Sequence, residues 1–141
     1  MVNAVIATSH ASLASGVYSA VRMIAGEFKN IRIQEFKEND DLYKFDQTLK
    51  ENYKSLKDYN NIIVLADLAG GTPFNRAVMT LGEFPNVRVI AGLNFASLYQ
   101  ALNSSGNLDS CVKEIVNAGK ESLVLYQANN NILENNFEDG I

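Results

Sequence analysis

The sequence predicts an α/β fold: a three-layer, doubly wound, mainly parallel sheet of strand order 2-1-3-4. Three observations carry this. Short apolar runs alternate with stretches of helical periodicity, the pattern of consecutive βαβ units. Residues 62–66 (Ile-Ile-Val-Leu-Ala) are an unbroken apolar run, as a strand covered on both faces requires. Turn and cap residues fall between the runs, at Asn39-Asp40-Asp41, Asn60-Asn61 and Phe84-Pro85-Asn86. Right-handed crossovers then put helices on both faces of the sheet.

Taken in order, residues 2–8 (Val-Asn-Ala-Val-Ile-Ala-Thr) read as a first, mostly apolar strand. Ser9-His10 follows, and Leu13, Val17, Val21 and Ile24 keep helical spacing up to Gly26, which ends that helix. Ile31, Ile33 and Phe36 mark a second strand, more exposed because Arg32, Gln34 and Glu35 intervene. Asn39-Asp40-Asp41 is a turn and a helix N-cap signal, and Leu42, Phe45, Leu49, Tyr53 and Leu56 trace a second helix with a solvated Lys- and Glu-rich outer face. The third strand, 62–66, ends at Asp67, and a helix through Ala77, Val78 and Leu81 follows. Residues 87–93 form a fourth strand and Leu98 and Leu102 a short helix. Residues 108–120 form another helix and 122–126 a last short strand. The polar tail, 127–141, is either loose or forms a terminal element around Ile132, Leu133, Phe137 and Ile141.

A chain of 141 residues suits one domain with a core of its own, here 1–126. With 47% hydrophobic and 20% charged residues it has the composition of an ordinary globular protein. The net charge of −4 argues against nucleic acid and anionic membranes as partners. No apolar run is long enough to span a bilayer, and no secretory signal pattern opens the chain. A cytoplasmic location is therefore the default expectation. The single cysteine, Cys111, cannot make an internal disulfide and reads as a small core side chain beside Leu108, Val112 and Ile115.

The chemistry gathers at strand ends. His10 is the only histidine and falls where the first strand stops. In an open α/β sheet ligands bind at the carboxyl ends of strands, at the switch point where strand order reverses. In order 2-1-3-4 that point lies between strands 1 and 3, so His10 and Asp67 can meet. A carboxylate on one ring nitrogen fixes the tautomer and leaves the other nitrogen as a nucleophile. Gly70-Gly71-Thr72-Pro73 follows Asp67. The two glycines allow unusual backbone angles and close approach. Thr72 reads as a helix N-cap with Pro73 at the first helical position. Such a loop presents N–H groups and a hydroxyl to an anion, phosphate above all. Ser9, Thr8 and Ser12 either assist an anion or serve as caps. Asn94 lines the same rim or caps the next helix, and Arg76 meets a phosphate or lies on a helix surface. One His and one Asp are too few for zinc. Neither a P-loop nor a dinucleotide motif is present, so no metal or cofactor is expected.

Three segments carry a resemblance: Ala4-Val5-Ile6-Ala7-Thr8-Ser9-His10, Val64-Leu65-Ala66-Asp67-Leu68-Ala69-Gly70-Gly71-Thr72-Pro73-Phe74-Asn75, and Val89-Ile90-Ala91-Gly92-Leu93-Asn94. In order and spacing they resemble the IIA domain of the mannose/fructose/sorbose family of the sugar phosphotransferase system, over residues 2 to about 125. The resemblance implies a phosphocarrier with a phosphohistidine intermediate. His10 would take a phosphoryl group on Nε2 from phospho-HPr and pass it to a IIB component, which phosphorylates sugar entering through the membrane components IIC and IID. Asp67 would hold Nδ1, and Thr72 with Gly70, Gly71 and Ser9 would receive the phosphoryl oxygens. The resemblance also implies a homodimer that exchanges a last antiparallel strand, matched here by 122–126. Ala11, Leu68 and Ala69 stand where some members carry tryptophan or another bulky residue. No IIB segment follows, so the relay is expected to continue on another chain.

Three alternatives stand beside this expectation. A close relative of the family serves as the phosphocarrier of a phosphotransferase-dependent dihydroxyacetone kinase. A receiver domain would accept phosphate on Asp67, but it needs acidic residues after strand 1, where Ser9-His10 stand, and a lysine after strand 5. A non-catalytic module would bind a small anion reversibly.

Overall fold

The computed structural model describes residues 1–128, and the terminal element considered around Ile132, Leu133, Phe137 and Ile141 lies outside them. Four strands, β1 (Ala4–His10), β2 (Ile31–Phe36), β3 (Ile62–Ala66) and β4 (Val87–Ala91), alternate with α1 (Leu13–Ala25), α2 (Leu42–Ser55) and α3 (Thr72–Leu81). Two further helices, α4 (Phe95–Leu102) and α5 (Leu108–Glu121), follow β4. All strand pairs are parallel and the order is β2-β1-β3-β4, as the sequence predicts.

Alternation along the strands divides the core into two layers. Val5, Ala7, Ile63 and Leu65 pack with α1, α4 and α5, through Ala14, Val21, Leu98 and Ile115. Ala4, Ile6, Ile62 and Val64 face α2 and α3, through Phe45, Leu49, Ala77 and Leu81. β3 is buried at every position, which its unbroken apolar run anticipates, whereas the edge strands β2 and β4 are mostly half-buried. At a transfer free energy of about 25 cal/mol per Å², these two apolar layers are what hold the strand ends in place. Cys111 is buried in the first layer. Gly26 closes α1 at φ 86°, its N–H donating to the Arg22 carbonyl.

The last expected strand is not seen in the single chain. Ser122 caps the C-terminal end of α5, and residues 123–127 take no regular structure; no antiparallel strand joins the sheet among the described residues. The segment Leu-Val-Leu-Tyr has strong β preference, but a strand exists only where a second backbone offers its N–H and C=O groups. Among the described residues the segment pairs with none of the four strands. Leu123 and Leu125 are left 93% and 76% exposed, a heavy cost for apolar side chains.

Candidate phosphoryl-transfer site

Register brings the two key residues together. Thr8 of β1 lies opposite Ala66 of β3, so His10 and Asp67 leave adjacent strand ends. Ala11 then turns the chain at φ 47°, a left-handed conformation that costs an L-residue about 1–2 kcal/mol. Its N–H donates to the Phe36 carbonyl at 2.8 Å, which ties the turn to β2.

The imidazole of His10 is held on three sides. Its Nδ1 lies 2.9 Å from Asp67 Oδ2, and the same oxygen accepts the His10 backbone N–H at 3.1 Å. A carboxylate only accepts, so Nδ1 carries the proton and Nε2 keeps a free lone pair. The Asp67 side chain is only 10% exposed and that of His10 44%, so the ring is anchored from within and reaches solvent at the rim. The edge of Phe36 meets the ring at 90° with centroids 6.4 Å apart, and Phe45 backs Phe36 in the same way at 5.5 Å. Asp67 Oδ1 is buried without a partner among the described residues.

The third side is the Gly70-Gly71 loop. Gly70 adopts φ 80°, which an L-residue resists, and its carbonyl accepts from Asn75 Nδ2 at 3.0 Å. Gly71 lies against the His10 ring, beside Cε1 and Nε2. The helix start differs by one residue from expectation. Gly71, not Thr72, occupies the N-cap position, and no side chain caps α3. Thr72 is the first helical residue and Pro73 the second. Pro73 has no N–H, and those of Thr72 and Phe74 meet no acceptor among the described residues. These free donors and the positive end of the helix dipole stand next to Nε2. The Gly71 N–H is not among them, since it donates to the Leu68 carbonyl at 3.1 Å.

The other candidates are drawn elsewhere. Ser9 is fully buried, and its hydroxyl accepts the Ala14 N–H at 2.8 Å, bracing the start of α1. Thr8 is also fully buried. Asn94 caps α4 in a reciprocal box with Ser97. Arg76 forks onto both carboxylate oxygens of Asp46, joining α3 to α2, and that hydrogen-bonded carboxylate raises the already high pKa of the guanidinium. Sequence reasoning missed this pair because its partners are 30 residues apart with no local pattern. It also missed Phe36 as the wall of the site, for which the only signal was its place at the end of β2.

A family model described as the PTS system fructose IIA component matches residues 4–118. The chain belongs to this family, the mannose/fructose/sorbose IIA domains of the phosphotransferase system. It is 27% identical to the fructose-specific EIIA component of Bacillus subtilis, covering 80% of this chain and 76% of that protein. With the mannose-specific EIIAB component of Escherichia coli K12 it shares 26% identity over 91% of its length, but it spans only 41% of that protein. The solved mannose/sorbose specific IIA subunit from Enterococcus faecalis superposes with a TM-score of 0.81 at 31% identity, over 90% of this chain and 96% of that one. A phosphotransferase component EIIA from Streptococcus agalactiae gives 0.78 at 26% identity, over 89% and 97%. This IIA domain is thus a phosphotransfer protein of the mannose family, and membership implies HPr and IIB partners. No helix among its described residues is long and apolar enough to cross a membrane.

Proposed function

We propose that the protein accepts a phosphoryl group from phospho-HPr on Nε2 of His10 and passes it to a IIB component that phosphorylates a sugar during uptake. The observation that carries this is the Nδ1–Asp67 contact at 2.9 Å, which leaves Nε2 unprotonated beside an uncapped helix start. In the step itself the Nε2 lone pair forms a new P–N bond in line with the donor's P–N bond, which breaks and returns its electron pair to the donor nitrogen. The Nδ1 proton stays in place. The positive charge the ring gains then faces the Asp67 carboxylate, and the phosphoryl oxygens face the N–H groups of Thr72 and Phe74 and the Thr72 hydroxyl. Gly70 keeps a side chain out of that space, Gly71 lets the loop lie against the ring, and Ser9 holds the turn behind it. Positioning and preset charge do the catalytic work, as is general for phosphoryl transfer.

The working form is a homodimer in which residues 122–126 of one subunit add as an antiparallel strand to the other. Support comes from the exposed apolar run Leu123-Val124-Leu125 and from β4, which ends the sheet with a free edge. Light scattering at micromolar concentration is expected to give twice the chain mass, and a monomer contradicts the exchange. Cytoplasmic function follows from the partners proposed.

The test is incubation with phosphoenolpyruvate, enzyme I and HPr, read by intact mass. Wild type is expected to gain one acid-labile phosphate and His10→Ala none. Failure of the wild type to gain it overturns the carrier reading and leaves reversible anion binding at the same loop. Transfer onward to a dihydroxyacetone kinase in place of a IIB component would redirect the acceptor without altering the site.

A further inference from the structure

We infer that Gly71 is a positioning residue for His10: the volume its absent side chain leaves open is the seat of the imidazole. This deepens the phosphocarrier reading and rests on it for its kinetic consequence. Two ordinary reasons for a glycine do not apply at this position. The backbone does not need one, because φ is −75° and ψ 167°, an extended conformation open to any residue; Gly70, at φ 80°, is the glycine that the turn requires. Nor does Gly71 supply a donor to an anion, because its N–H is spent on the Leu68 carbonyl at 3.1 Å. What remains is space. A Cβ built at Gly71 would lie 2.7 Å from His10 Cε1 and 3.5 Å from Nε2, with the Leu68 carbonyl oxygen 3.3 Å away.

The first of these contacts is not tolerated, and the Leu68 carbonyl at 3.3 Å gives the new methyl little room to back away, so the ring is the group that shifts. Its freedom to move is limited on two further sides, and only the solvent rim is open. Asp67 holds Nδ1, and the Phe36 edge, itself backed by Phe45, stands against the ring. Any rotation that clears a methyl at position 71 lengthens or bends the Nδ1–Oδ2 bond and carries Nε2 away from the N–H groups of Thr72 and Phe74. Gly71, Asp67 and Phe36 together favour the observed ring orientation, with Nε2 beside Gly71, the N-cap of α3. A misplacement of about 1 Å in a reacting atom costs on the order of a hundredfold in rate.

The single histidine makes the test direct by NMR on the full chain. In wild type a strong nuclear Overhauser contact is expected between His10 Hε1 and the Gly71 Hα protons. In Gly71→Ala the His10 ring nitrogen and Hε1 signals are expected to shift and phosphorylation by phospho-HPr to slow by roughly thirtyfold or more. Gly16→Ala, in an open part of α1 with no atom within 4 Å of the added methyl, is expected to change neither. Absence of the wild-type contact overturns the inference, and that measurement stands even if Gly71→Ala does not fold. So does a folded Gly71→Ala with wild-type ring signals, or one with shifted signals and an unchanged rate. If the contact is present but wild type takes no phosphate, the carrier reading fails and the seat remains.

Discussion

The starts of α1 and α3 face the same rim, yet they are finished in opposite ways. At α1 two donors of the first turn are taken up by side chains: the Ser9 hydroxyl accepts the Ala14 N–H, and the Glu35 carboxylate accepts both the N–H and the hydroxyl of Ser15 at 2.9 and 2.7 Å. At α2, α4 and α5 the N-cap side chains of Asp41, Asn94 and Asn107 accept from at least one first-turn N–H each. At α3, among the described residues, no side chain caps the helix and the Thr72 and Phe74 N–H groups meet no acceptor. An unsatisfied helix start is a standing cost, and the one left open is the one beside Nε2 of His10. Among the described residues, side chains satisfy donors at four helix starts, and the fifth is the one proposed to take the phosphoryl oxygens.

Breaking that contrast from the active side should have the largest effect. Asp67→Ala removes the group that fixes the tautomer and faces the charged ring. Phosphorylation by phospho-HPr is expected to slow by about a hundred- to a thousandfold, with the circular dichroism spectrum unchanged; near-wild-type kinetics would strip Asp67 of its role. Filling the open start comes next. Thr72→Asp puts a carboxylate in the first turn of α3, where the helix dipole favours it by about 0.3–1 kcal/mol. Thermal stability is expected to hold or rise while phosphorylation slows by at least roughly tenfold through repulsion of the incoming phosphoryl group. A stabilised variant with full transfer would show that the open start is not used. The smallest effect is expected from the closed start. Glu35→Ala frees the Ser15 donors and should cost about 1 kcal/mol, the usual value of a lost cap, seen as a lower denaturation midpoint with the transfer rate near that of wild type. A large kinetic loss without a stability loss would erase the distinction between the two helices.

Much of this was legible in the sequence because it is written locally. Ile62 to Ala66 can only be a strand covered on both faces, and the end of such a strand is where Asp67 had to emerge. The single histidine at the end of β1 then met it through strand order alone. What the sequence did not show depends on groups far apart. Arg76 finds Asp46 across two helices, and Ser9 turns its hydroxyl inward because the Ala14 N–H waits there. The two glycines look alike as letters, but one is needed for its dihedral angle and the other for the space it leaves against His10. Residues 122–126 have the composition of a strand, yet a strand is a property of two backbones, and the second is not in this chain's own sheet.

The measurement that bears most directly on the site is the identity of the phosphorylated atom, by ³¹P and ¹⁵N NMR of the protein charged with phosphoenolpyruvate, enzyme I and HPr. Phosphate on Nε2 of His10, with the proton retained on Nδ1 toward Asp67, is the expected result. Phosphate on Nδ1, or an acyl phosphate on Asp67 with the His10 ring unmodified, would contradict it.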